Sequence, residues 1–176
     1  MSGAELPRLI ARFEDCTLPK EAWTHRAHLA VGLWYASRLP YDEALVAMRE
    51  GILRLNAAHG VPTTPARGYH ETITRFYMRL LCDYVAWEEG RPTGEWEERV
   101  RVLLARYGDR ELPLRHYTRE RLMSPEARFG WVEPDLHQLR ASSAGERDRA
   151  GPVNPLDLPG VPLGGNGRGV SGISGD

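Results

Sequence analysis

A helical hydrophobic period runs from the amino terminus to about residue 107, and no segment carries the β-branched alternation of a half-buried strand. A chain patterned this way buries its apolar stripes only by packing helix on helix. The expected fold is therefore all-α, a compact bundle of about five main helices with a short irregular C-terminal region. "GAELPRLIARFED" reads as a short first helix. "TLPKEAWTHRAHLAVGLWYASRLP" reads as a second, with Thr17 as its cap, Pro19 in the first turn and Pro40 just past the end. The third, "YDEALVAMREGILRLNAAHG", stops at Gly60, where a left-handed residue is easily made. After the loop "VPTTPARG" comes a fourth, "YHETITRFYMRLLCDYVAWEEG", ended by Gly90 and Pro92. "TGEWEERVRVLLARYGD" is a fifth, with Thr93 as cap and Gly108 as stop.

Beyond Gly108 the pattern weakens. Ser124-Pro125-Glu126 resembles a helix start, and Phe129 and Trp131 are expected to pack back onto the bundle. Residues 141–176 hold half of the chain's 18 glycines and no aromatic residue, so they cannot bury enough apolar surface to offset their ordering entropy. The expected organisation is a single helical domain over 1–140 and a flexible Gly/Pro/Ser-rich tail over 141–176.

Acidic and basic residues nearly cancel, at 24 against 23, which removes the electrostatic footprint of a nucleic-acid or anionic-membrane partner. No stretch approaches the length of a membrane span, and the first residues lack the basic start and apolar core of a secretory signal, so a cytoplasmic protein is expected. Cys16 and Cys82 are too few for a disulfide framework and read as reduced and structural. There is no Gly-rich nucleotide loop, no G-x-S-x-G elbow and no H-E-x-x-H.

The chemistry-bearing feature is "THRAHLAVGLWYA". His25 and His28 are three apart, so on a helix they project to the same side, and the run from Leu29 to Ala36 is apolar or small around nearly its whole circumference. The helix start should border a partly dry pocket, where each imidazole must find partners or incur about 1–3 kcal/mol per unpaired group. A third histidine, His70, opens the fourth helix on a stripe with Ile73, Tyr77 and Tyr84. In an up-down-up-down bundle the second and fourth helices are parallel, so His25, His28 and His70 are expected to converge as ligands of one divalent metal ion. The plain alternative is that each histidine is a hydrogen-bonded core or rim residue.

Glu71 is a candidate fourth ligand or base, and Arg75 a candidate for binding a substrate carboxylate or phosphate. Structurally, Glu71 suits the helix dipole and forms an i, i+4 pair with Arg75. Thr24, Tyr69, Trp23 and Asn56 are second-rank candidates for orienting the imidazoles. Trp23 and Trp34 read as core fillers, His59 as a last-turn residue, and His116 and His137 as surface or packing residues.

"LPKEAWTHRAHL", "MREGILRLNAAHG", "GYHETITRFY" and "SPEARFGWVEPDL" recur in this order in a group of small uncharacterised all-helical bacterial proteins, which the chain resembles over roughly residues 13–136. The resemblance implies a compact bacterial domain marked by Trp23, Thr24, His25, His28, Tyr69, His70, Glu71 and Thr72, and brings no activity with it.

The expected function is that of a metal-dependent enzyme of hydrolase or lyase type acting on a small molecule. Three imidazoles suit zinc-activated water; with Glu71 added, Fe, Mn or Ni fit as well. The alternative is a non-enzymatic ligand-binding or sensor module using the same histidine pocket for an anion or haem. The oligomeric state stays open, a homo-oligomer included.

Overall fold

The computed structural model describes residues 5–88 and 94–139. The expected stops at Gly90 and Pro92, the cap at Thr93 and the tail over 141–176 fall outside them. Seven α-helices and no strand occur among the described residues. Five are long: α1 (Glu5–Glu14), α2 (His25–Ala36), α3 (Tyr41–Ala58), α4 (Glu71–Glu88) and α5 (Trp96–Tyr107). Two are short, α6 (Arg119–Leu122) and α7 (Pro125–Phe129), and 3-10 turns form at Lys20–Ala22 and Leu112–Arg115. No helix among the described residues is long and apolar enough to cross a membrane.

The all-round apolar run places α2 at the centre. Ala30, Val31 and Leu33 are fully buried, and α1, α3, α4 and α5 pack around them. The chain can bring α2 against α4 because position 32 is glycine: a Cβ there would meet Leu81 Cδ1 at 2.5 Å. His25 lies against Tyr77 and Gly32 against Leu81, so the two helices run in the same direction, as alternating topology requires. A second close approach joins α1 to α3, where Gly51 faces the fully buried Phe13 ring.

Three local expectations change. Thr17 does not cap α2; its N–H and hydroxyl both bond Asp15 Oδ1, at 2.9 and 2.6 Å. The Lys20–Ala22 turn intervenes, and Thr24, in extended conformation, caps α2 by accepting the Ala27 N–H at 3.2 Å. His25 and His28 therefore occupy the first turn of the helix. Phe129 does not pack back: it is 59% exposed, while Trp131 is half-buried against the core with its ring edge-on to Tyr117. The helix stop at Gly60 (φ +63°) and the cap at Ser124 form as expected, the latter accepting the Ala127 N–H at 3.1 Å.

Candidate functional site

The break before α2 sets up a stack of three rings. Trp23, released from helical conformation, lies between Phe13 (centroids 4.7 Å apart, planes 25°) and His28 (3.8 Å, 28°). This fixes the His28 ring plane, and a hydrogen bond fixes its tautomer. His28 Nδ1 donates to the Thr24 carbonyl at 2.8 Å, which leaves Nε2 as the ring's lone pair. The Thr24 hydroxyl is engaged in the cap, so the orienting acceptor is the backbone carbonyl. Burial pushes the His28 pKa down to about 4, outweighing the Thr24 carbonyl, and the nearby His25 and Arg110 press the same way.

His25 sits edge-on to Tyr77, centroids 5.0 Å apart, with Nε2 3.4 Å from the Tyr107 carbonyl at the end of α5. Its pKa is lowered, first by burial and then by Arg110, against the Tyr107 carbonyl and Asp109. Tyr77 donates its hydroxyl to the Asp109 carbonyl at 3.0 Å, tying α4 to the segment after α5. Between α2, α3 and α4 a cavity of about 360 Å³ opens beside both histidines. Its walls are mainly Leu29, Met48, Ile52, Ile73, Met78 and Leu81, and its polar groups are His25, His28, Thr74, Tyr77 and Arg110.

His70 does not join them. Helix α4 begins one residue later, so His70 is its cap: its carbonyl accepts the Thr74 N–H at 3.0 Å, and its Nδ1 accepts the Ile73 N–H at 3.4 Å. Its Nε2 donates to the Leu122 carbonyl at 2.9 Å, at the end of α6, so both ring nitrogens serve the fold. Register adds to this. His25 meets Tyr77, seven residues along α4 from His70, an axial displacement of about 10 Å at about 1.5 Å per residue. Among the described residues, no group of three or more His, Cys, Asp or Glu side chains is arranged to hold a metal ion.

Glu71 and Arg75 lie apart from the histidine cavity. Arg49 of α3 grips Glu71 through Nε (2.9 Å to Oε2) and through an Nη2–Oε1 ion pair, and Tyr69 donates its hydroxyl to Oε2 at 2.8 Å. Burial raises the Glu71 pKa, but the bonds from Arg49 and Tyr69 and the charges of Arg49 and Arg75 outweigh it, and the net shift is downward. Arg49 thus takes the place expected of Arg75, whose guanidinium lies over the Trp131 ring, 5.1 Å from its centroid. Thr72 links α4 to the segment after α7, donating to the Gly130 carbonyl at 2.7 Å and accepting the Val132 N–H at 3.2 Å. The Asn56 carbonyl accepts the Val61 N–H at 2.8 Å, closing the end of α3 rather than orienting an imidazole.

Arg49 and Arg110 carried no sequence signal: Arg49 meets Glu71 across the fold, and Arg110, in the turn after α5, reaches the histidine cavity from outside the long helices. Tyr77 was legible on the same stripe of α4 as Ile73, whereas Thr74, which also lines the cavity, lay off that stripe. No protein family matches the chain, and no match was found among curated proteins or solved structures.

Proposed function

We propose that the protein binds a small, mostly apolar molecule carrying one polar end in the cavity beside His25 and His28, as a non-enzymatic ligand-binding or sensor module. The observation that carries this reading is the His28 ring, clamped on Trp23 and turned by Thr24 so that a neutral Nε2 lone pair remains beside an apolar cavity of about 360 Å³. Cavities of this size, with few polar groups on apolar walls, suit small ligands. An imidazole held to a pKa of about 4 accepts a ligand hydroxyl or N–H well but is a weak proton acceptor, so recognition fits better than general-base catalysis near neutral pH.

Two of the chain's four methionines, Met48 and Met78, line the cavity and report on it. Titration of methyl-labelled protein with 4-ethylphenol should move both methyl resonances together, leave Met123 unmoved, and weaken at least tenfold in His28→Ala. Undisturbed Met48 and Met78 signals across a panel of such phenols and short alcohols would refute the reading.

A metal-dependent hydrolase or lyase is a second reading, favoured by one feature. Metal-ligating histidines characteristically donate their other nitrogen to a carbonyl or carboxylate, as His28 does to Thr24. This reading requires ligands beyond His25 and His28. Elemental analysis of untagged protein tests it: stoichiometric metal lost in His28→Ala supports it, and metal content unaffected by His25→Ala and His28→Ala removes it.

A further inference from the structure

A second concavity, of about 460 Å³, lies across the α3–α4 seam from the histidine cavity. Met48 and Ile52 face one, Arg49 and Leu53 the other, one residue further round α3 in each case. Three guanidinium groups line it, Arg49, Arg75 and Arg128, against the single carboxylate of Glu71. Two are committed. Arg49 is held on Glu71, and Arg128 bonds the carbonyls of Pro65 (2.8 Å), Tyr69 (3.2 Å) and Gly68 (3.4 Å), fastening the loop before α4. Arg75 acts on Glu71 through its charge alone: its buried Nε has no hydrogen-bond partner among the described residues, and its guanidinium lies over the Trp131 ring. The rim is apolar, with Phe129 59% and Leu53 40% exposed.

We propose that this concavity binds a small organic anion, a carboxylate or phosphate monoester attached to a flat or apolar group, with Arg75 as its principal charge partner. One carboxylate against three guanidiniums leaves an excess of positive charge that an oxyanion neutralises. The planar guanidinium fork matches carboxylate and phosphate geometry. A buried donor with no partner is unfavourable, and an accepting oxyanion beside the guanidinium relieves it. The Trp131 ring, 5.1 Å from the guanidinium carbon, flanks the fork, and Phe129 offers a surface for the apolar part of the same molecule. The site is separate from the histidine cavity and does not depend on its occupant.

The test uses phenyl phosphate, phenylacetate, benzyl alcohol and inorganic phosphate, read by the Trp131 indole N–H resonance, assigned through Trp131→Phe. That N–H donates to Glu133 at 2.7 Å, which ties the indole at the edge of the concavity. Saturable shifts are expected with phenyl phosphate or phenylacetate, whichever headgroup is preferred. Benzyl alcohol should give none, and inorganic phosphate should bind at least fivefold more weakly. Arg75→Met should weaken binding at least tenfold; Phe129→Ser, at an exposed position that cannot unsettle the core, should weaken it several-fold; His28→Ala should leave it unchanged. An unmoved Trp131 resonance, equal binding in Arg75→Met, or equal binding of benzyl alcohol would overturn the proposal, as would loss in His28→Ala.

Discussion

The His28 imidazole lies flat on the Trp23 indole, ring centroids 3.8 Å apart, and that contact sets the character of the histidine cavity. The indole removes one face of the imidazole from water, the Thr24 carbonyl accepts the Nδ1–H hydrogen bond, and burial keeps the ring neutral. Trp23→Ala exposes that face. The His28 titration midpoint should then rise from about 4 toward the ordinary 6.5, as read by NMR. An unchanged midpoint would show that burial by Trp23 is not the cause.

The pH dependence of stability follows from two rings. Burial holds the His28 and His70 pKa values at about 4, and in the unfolded chain both titrate near 6.5. As pH falls through that window the unfolded state takes up protons first, so stability is full above 6.5 and declines toward 4. At about 1.4 kcal/mol per pH unit per group, two rings outweigh Asp83, whose pKa burial pushes up to about 6 and which acts oppositely. Thermal melts should be level from pH 7 to 8 and drop below 6, and the drop should shrink in His28→Asn/His70→Asn. A melting temperature that rises on acidification to pH 4.5 is the contrary result.

His70 caps α4 and holds the end of α6. His70→Ala forfeits a cap worth about 1 kcal/mol and leaves the Leu122 carbonyl without its partner, a total loss of about 1–3 kcal/mol by urea denaturation. Occupancy of the histidine cavity by 4-ethylphenol should persist in that variant.

Glu71 and Arg49 join α4 to α3 through a pair whose carboxylate is one-tenth exposed and whose guanidinium is one-third exposed. Glu71→Ala strands Arg49 and the Tyr69 hydroxyl, costing about 1–3 kcal/mol after allowance for the exposure of Arg49. Arg49→Ala/Glu71→Ala should lose less than the sum of the single variants; strict additivity would mean that the two do not couple.

Gly51 faces the Phe13 ring, itself the base of the ring stack. Gly51→Ala must displace a fully buried aromatic, an overpacking cost of about 1–3 kcal/mol. It should also disturb the His28 resonances; a variant as stable as the parent would contradict the close approach.

The fold was legible because periodicity alone separates helix from strand, and the glycine stop at 60 and the serine cap at 124 formed where their chemistry required. The all-round apolar run from Leu29 to Ala36 likewise foretold a central helix. The site was half legible. His25 and His28 share one cavity because their spacing makes them neighbours on one helix, whatever the tertiary packing. His70 depended on axial register between two helices, which their sequences do not encode, and on a boundary one residue from where the pattern put it. As a cap and not a helical residue, its ring turned back onto its own first turn. The partner of Glu71 lay 22 positions away on α3, beyond any local pairing rule.

The most direct test is a long-range ¹H–¹⁵N spectrum of the imidazole rings, recorded with and without one equivalent of zinc. His28 should appear as the Nδ1–H tautomer and His70 as the Nε2–H tautomer, with the His70 signals unmoved by the ion. Stoichiometric zinc that shifts His25, His28 and His70 together would contradict the division between a histidine cavity and a structural cap.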